Sequence, residues 1–268
     1  MMTYKEREDK LFVRWKAACQ ERDGIDPECD FCADGLLYRG DYEQPYGCWE
    51  RRPGNESELW DRSNARLLIL SKDTTRASEM DDVRIETARK NGIMGLVTMA
   101  TVPFCRNLAL WSYALQNALQ GGEILNYNDL PDWEVLREHY ATAPIARVNC
   151  KKQIGESKIT DVELKRHIKR YSDLLQEQIA MYDADIILCC GGSGAIKNFV
   201  KSHYLPDLQV FSEKEAWVYF SPSTRKVVID SYHPTFPKSW KNIEKFYGYM
   251  MADLKNFLTA HSEYIRRN

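Results

Sequence analysis

The apolar run Leu67-Leu68-Ile69-Leu70 is followed at once by Ser71-Lys72-Asp73-Thr74-Thr75. A stretch that short, with Arg66 before it and small or polar residues after it, reads as a buried strand that leaves the core abruptly. The pattern recurs. Ile145-Ala146-Arg147-Val148 runs into Asn149, residues 185–190 form another apolar run, and Val227-Val228-Ile229-Asp230-Ser231-Tyr232 runs into His233-Pro234. Strands alternating with helical stretches give an α/β fold, a sandwich with a mostly parallel central sheet. Ligands of such sheets bind beyond the carboxyl ends of the strands. Asp73, Asn149 and His233 therefore stand at three strand ends that can face one pocket.

The helices follow from spacing. Residues 3–22 carry Leu11, Phe12, Trp15 and Cys19 on one face, and Asp23-Gly24-Ile25-Asp26-Pro27 ends the pattern. From Asn107 onward Leu108, Trp111, Leu115 and Leu119 repeat at three and four, up to Gly121-Gly122. A short helix is expected over 133–140. Thr160-Asp161-Val162-Glu163 has capping-box spacing and opens a long helix with Leu164, Ile168, Tyr171, Leu175, Ile179 and Tyr182 inward. Residues 191–194 turn into a helix over 195–203. Strands over 216–220 and 227–231 meet at a turn, and the last helix covers about 239–260. Residues 76–91 carry a weak helical pattern, and 92–100 a short strand or irregular approach to Pro103. Two regions look unstructured by period: 33–47, between Cys32 and Cys48, read as an ordered loop, and 51–64, read as a polar lead-in. The division expected is an N-terminal helix and cysteine-containing loop region, 1–64, packed on a main domain, 65–268.

Composition bounds the function. Of 268 residues, 44% are hydrophobic, enough for a sizeable core. The net charge of -2 argues against a globally basic nucleic-acid binder, so any DNA contact must come from a local patch. No apolar run approaches the roughly 18 residues of a membrane span. Residues 1–10 are charged and lack a signal-peptide core. The expectation is a soluble cytoplasmic monomer with no membrane partner.

Without a secretion signal, the eight cysteines argue for reduced core thiols or a metal site rather than a disulfide framework. Cys29 and Cys32 form a C-x-x-C knuckle whose thiolates can point at one ion, with Cys48 as third ligand. Cys19 is nearest for a fourth but lies on an apolar helix face. Cys105, Cys189 and Cys190 read as core. Zinc and an iron–sulfur cluster both remain open as the cofactor.

The order of motifs, from Asp73 through Pro103-Phe104, Asn149 and the glycine turn to His233-Pro234-Thr235, resembles the uracil-DNA glycosylase superfamily over about 66–258. The family's first motif is G-Q-D-P-Y in one branch and G-E-A-P-G in its iron–sulfur branch. Here it reads Ser71-Lys72-Asp73-Thr74-Thr75, keeping the aspartate and losing the glycine and proline. His233-Pro234-Thr235 is similar to the H-P-S signature. The resemblance implies a three-layer α/β/α sandwich and a DNA glycosylase acting on uracil or a related damaged base. The iron–sulfur branch also begins with C-x-x-C. Its later cysteines have only Cys150 as counterpart here, with His167 on the following helix.

Such an enzyme breaks an N-glycosidic bond as the base leaves as an anion and the sugar gains oxocarbenium character. Asp73 would stabilise that cation and position water, and His233 would donate to the leaving base. Asn149 would read a pyrimidine edge and Phe104 would stack on the flipped base. Phe236 would wedge into the duplex, while Lys151, Lys152 and Lys238 would meet phosphates. Blander roles stand beside these. A strand-end Asp or Asn is commonly a cap or turn residue, and Phe104 serves as well in a core. A protein that keeps the fold and binds nucleic acid or a nucleotide without chemistry is the alternative.

Overall fold

The computed structural model describes residues 2–26, 31–43, 48–73, 82–85, 88–89, 102–155, 159–191, 193–214, 216–236 and 240–266, with backbone alone at 48, 49, 88, 89, 240 and 241. The helices are α1 (Tyr4–Asp23), α2 (Glu56–Arg62), α3 (Pro103–Leu119), α4 (Trp133–Thr142), α5 (Asp161–Arg170), α6 (Ser172–Tyr182), α7 (Ala195–Phe199) and α8 (Trp240–Ala260). The strands are β1 (Gly35–Leu36), β2 (Tyr42–Glu43), β3 (Cys48–Arg51), β4 (Leu67–Ser71), β5 (Ala88–Arg89), β6 (Ile145–Asn149), β7 (Ile186–Cys190), β8 (Gln209–Val210), β9 (Val218–Ser221) and β10 (Lys226–Ser231).

Seven strands form the main sheet in the order β1-β6-β4-β7-β10-β9-β8. The central four, β6, β4, β7 and β10, run parallel, while β1 and the β9–β8 pair are antiparallel edges. Successive side chains of a strand face opposite sides, and both sides here are apolar. Leu67, Ile69, Ile145, Leu188 and Ile229 pack against α3 and α8 through Leu108, Trp111, Leu115, Leu254 and Phe257. Leu68, Leu70, Val148, Ile187 and Val228 pack against α1, α5, α6 and α7 through Trp15, Leu164, Ile179 and Ile196. This is the α/β sandwich with a mostly parallel sheet expected from the strand–helix alternation. No helix among the described residues is long and apolar enough to cross a membrane.

The capping box read at Thr160 forms, and a second one opens α1. Thr3 accepts from the Glu6 amide, and Thr160 from the Glu163 amide, with each glutamate returning to the cap backbone. At the amino end of the sheet, Arg66 binds the buried Asp185 carboxylate at 2.9 Å, tying the starts of β4 and β7 together.

Four expectations need correction. The segment between Cys32 and Cys48, read as a loop and not a packed element, buries Leu36, Leu37 and Tyr38 and supplies β1 to the main sheet. The polar lead-in over 51–64 holds α2, whose Trp60 is fully buried and donates its indole N–H to the Tyr182 carbonyl at 2.9 Å. Within the weak helical pattern over 76–91, Val83–Ile85 form a single 3₁₀ turn and Ala88–Arg89 pair with β3; residues 92–100 lie outside the described residues. The long helix after Thr160 breaks at Tyr171, whose buried ring stacks on Trp15 while its hydroxyl bonds Asp23.

Candidate active site

β4 and β6 end in register, Ser71 opposite Asn149. The two chains then leave the sheet together, the Cys150 amide donating to the Ser71 carbonyl and the Lys151 amide to the Lys72 carbonyl, each at 2.9 Å. This brings the Lys151 ammonium to 3.8 Å from the Asp73 carboxylate. The same ammonium donates to the Gln153 carbonyl at 2.8 Å. A Cβ at Gly155 would lie 2.6 Å from the Asp73 carboxylate, so a glycine lets the backbone close on it. Burial pushes the Asp73 carboxyl up from its ordinary value, the Lys151 and Lys72 charges pull it back down, and Glu163 adds to the rise.

On the other side of β4, Ser231 of β10 lies opposite Cys190 of β7, and the Gly191 amide donates to the Ser231 carbonyl at 2.8 Å. Gly191 has φ +84°, and a Cβ there would sit 3.2 Å from both His233 Cβ and Lys72 Cε. Glycine thus allows the first motif and the histidine turn to meet over β7. Lys72 is held by Asp161 at 3.1 Å, and Asp161 also accepts from the Ser193 hydroxyl. His233 Nδ1 lies 2.8 Å from the Thr235 hydroxyl and 3.3 Å from the Thr235 amide; with Nδ1 accepting from the amide, the ring proton is on Nε2. Burial, assisted by the Lys72 charge, lowers the His233 pKa to about 4. At neutral pH His233 is an uncharged Nε2–H donor.

Phe104 lies in the first turn of α3, after Pro103 at a position that suits proline. Its ring centre is 5.7 Å from that of His233, and the Arg147 guanidinium lies 5.1 Å from it. One turn on, the buried Asn107 donates to the Pro234 carbonyl at 2.7 Å and fastens α3 to the histidine turn. The fold therefore gathers Asp73, Asn149, His233 and Phe104 at the carboxyl edge of the parallel strands. Lys72, Asn107 and Arg147 belong to the same edge and were not singled out from the sequence. Arg147 had a visible signal: a charge inside an apolar strand, on the face it shares with Asn149 two residues later.

The basic residues fare differently. Lys152, expected at a phosphate, is fully buried and bound to both oxygens of the buried Asp34 at 2.6 Å; it has no route to DNA. Lys151, expected at a phosphate too, is turned inward to Asp73 and is only 12% exposed. Phe236 is exposed beside Tyr232 and Phe246, with ring centres 5.3 and 5.6 Å away. Lys238 lies outside the described residues.

So do Cys29 and the side chain of Cys48. Cys32 is fully buried and its thiol donates to the Ala33 carbonyl at 3.5 Å. Among the described residues no group of three or more His, Cys, Asp or Glu gathers as a metal site requires. Cys150 does not suit a cluster shared with Cys32. It packs in the layer on the opposite face of the sheet. Neither a protein-family model nor a curated protein matches the chain.

Proposed function

We propose that the chain is a DNA glycosylase, a divergent member of the uracil-DNA glycosylase superfamily that excises uracil or a related damaged base by flipping it out of DNA. The observation that carries the reading is the pairing of Asp73 with a neutral, Nε2-protonated His233 on strand ends that flank β7. A flipped pyrimidine enters between the strand ends and stacks on Phe104. The Asn149 amide offers a donor and an acceptor to its edge. As the glycosidic bond lengthens, the electron pair leaves with the base. His233 Nε2–H donates to the base O2 and Lys72 adds positive charge nearby. The Asp73 carboxylate faces the cationic sugar and orients a water, which adds at C1′ and gives up a proton that ends on the base anion, yielding an abasic sugar and the free base. Phe236 fills the space the base leaves, and Lys238 meets a phosphate.

Mass spectrometry of the base released from uracil-containing oligonucleotides tests the reading. Free uracil is expected. The second reading, a nucleic-acid-binding protein without chemistry, draws on the Lys151 ion pair, which partly neutralises the carboxylate. It predicts oligonucleotide binding with no base released.

For Cys29, Cys32 and Cys48 we propose a zinc or iron–sulfur site that holds the N-terminal loop and takes no part in the reaction. Metal analysis of the native protein and Cys32→Ser checks it: bound metal lost in the variant is expected, and a metal-free native protein contradicts it.

A further inference from the structure

β1 is only two residues long. It pairs Gly35 with Arg147 and Leu36 with Ala146, so its ladder stops short of the site end of β6. The Asn149 amide faces away from β4, toward the residues that precede β1. It donates to the Asp34 carboxylate at 2.7 Å. That carboxylate is fully buried and takes three further bonds: Lys152 Nζ at 2.6 Å to each oxygen and Gln178 Nε2 at 2.9 Å. The Lys152 ammonium rests 4.8 Å from the Trp15 ring centre on α1. The next residue is clamped as well. Gly35 has φ +143°, a Cβ on it would lie 2.6 Å from the Tyr182 hydroxyl, and the Leu36 amide donates to Glu8 at 2.8 Å.

A neutral carbonyl would satisfy the Asn149 amide equally well. A buried ion pair adds little net stability, because both charges lose their water. What four hydrogen bonds from three donor groups on one carboxylate do supply is a single fixed position for the group that the last residue of β6 hangs from. We propose that Asp34 is a positioning residue for Asn149: Lys152 and Gln178 lock its carboxylate, and the carboxylate fixes the Asn149 main chain so that its side-chain amide meets the base in one orientation. The proposal rests on the glycosylase reading for what Asn149 contacts, but not for the anchoring itself. It makes residues 31–36 part of the site.

The anchoring is read without any substrate, from 15N relaxation of the Asn149 side-chain amide. The test pair is the native protein and Asp34→Asn/Lys152→Met, which removes both buried charges together. The variant is expected to keep its thermal midpoint while the Asn149 amide becomes mobile on the nanosecond timescale. Where excision is measurable, its preference for uracil over cytosine falls by about tenfold, as expected of a slightly misplaced contact. Gln178→Leu keeps the ion pair and serves if the double variant does not fold; it should loosen the amide in the same direction by less. An Asn149 amide equally ordered in the native protein and the folded variant overturns the proposal, whatever the enzyme does. A loosened amide in a protein that excises nothing upholds the anchoring and removes only the glycosylase reading.

Discussion

At the scale of single residues, the site sets two ionisations in opposite senses. Burial pushes Asp73 up and His233 down, so both groups lean toward their neutral forms. The two lysines act unequally on this. Lys151 and Lys72 favour the Asp73 carboxylate, while Lys72 disfavours a charged His233. Lys151→Met therefore raises the Asp73 pKa further. If the proposed glycosylase reading holds, the acid limb of the kcat/KM profile should move to higher pH, because a protonated Asp73 would not stabilise a cationic sugar. Excision rates between pH 4 and 8 check this, and an unmoved limb contradicts the role given to Lys151.

At the scale of elements, the short pieces carry more of the site than their length suggests. The long amphipathic helices and the apolar strands were legible in the sequence, because their periods and capping boxes are local. β1 was not. Its two residues have no period, and Asp34-Gly35 reads as a turn until Glu8, Lys152 and Tyr182 are brought in from distant parts of the chain. Lys152 was misread for the same reason: a lysine after a strand looks like a surface charge, and its partner Asp34 is 118 residues away. Gly35→Ala tests how tightly β1 is set. It should cost at least about 2 kcal/mol, from a strained backbone and the clash with Glu8 and Tyr182. A lower urea midpoint at constant m-value is the expected observation.

At the scale of the whole molecule, three histidines tie stability to pH. His139, His167 and His233 are each lowered by burial to about 4, against an ordinary value of 6.5. Between those values these three histidines bind more protons in the unfolded chain than in the folded one and lower stability as pH drops from about 6.5 toward 4, an effect that Glu8 and Asp230, pushed up by burial to about 7 and about 6, offset in part. Urea unfolding at pH 7 and pH 5 should show the loss, and His139→Gln/His167→Gln should flatten the slope. The same scale explains what the sequence revealed of the site. Asp73, Asn149 and His233 could be placed because a parallel sheet sends every strand end to one edge. Lys72 and Asn107 joined them through contacts across that edge, which no local pattern records, while Arg147 was marked by its charge inside an apolar strand.

The central claim is that Asp73 and His233 form one centre for glycosidic cleavage. Its most direct test is alkali-induced strand scission of labelled oligonucleotides carrying uracil opposite guanine, opposite adenine, or in a single strand. Native protein should create alkali-labile sites at uracil. Asp73→Asn and His233→Ala should each lower the single-turnover rate by about 10²–10³-fold, the cost of removing one electrostatic contact to a transition state. Folded native protein that leaves all three substrates intact, or variants that cleave as fast as it does, would contradict the account.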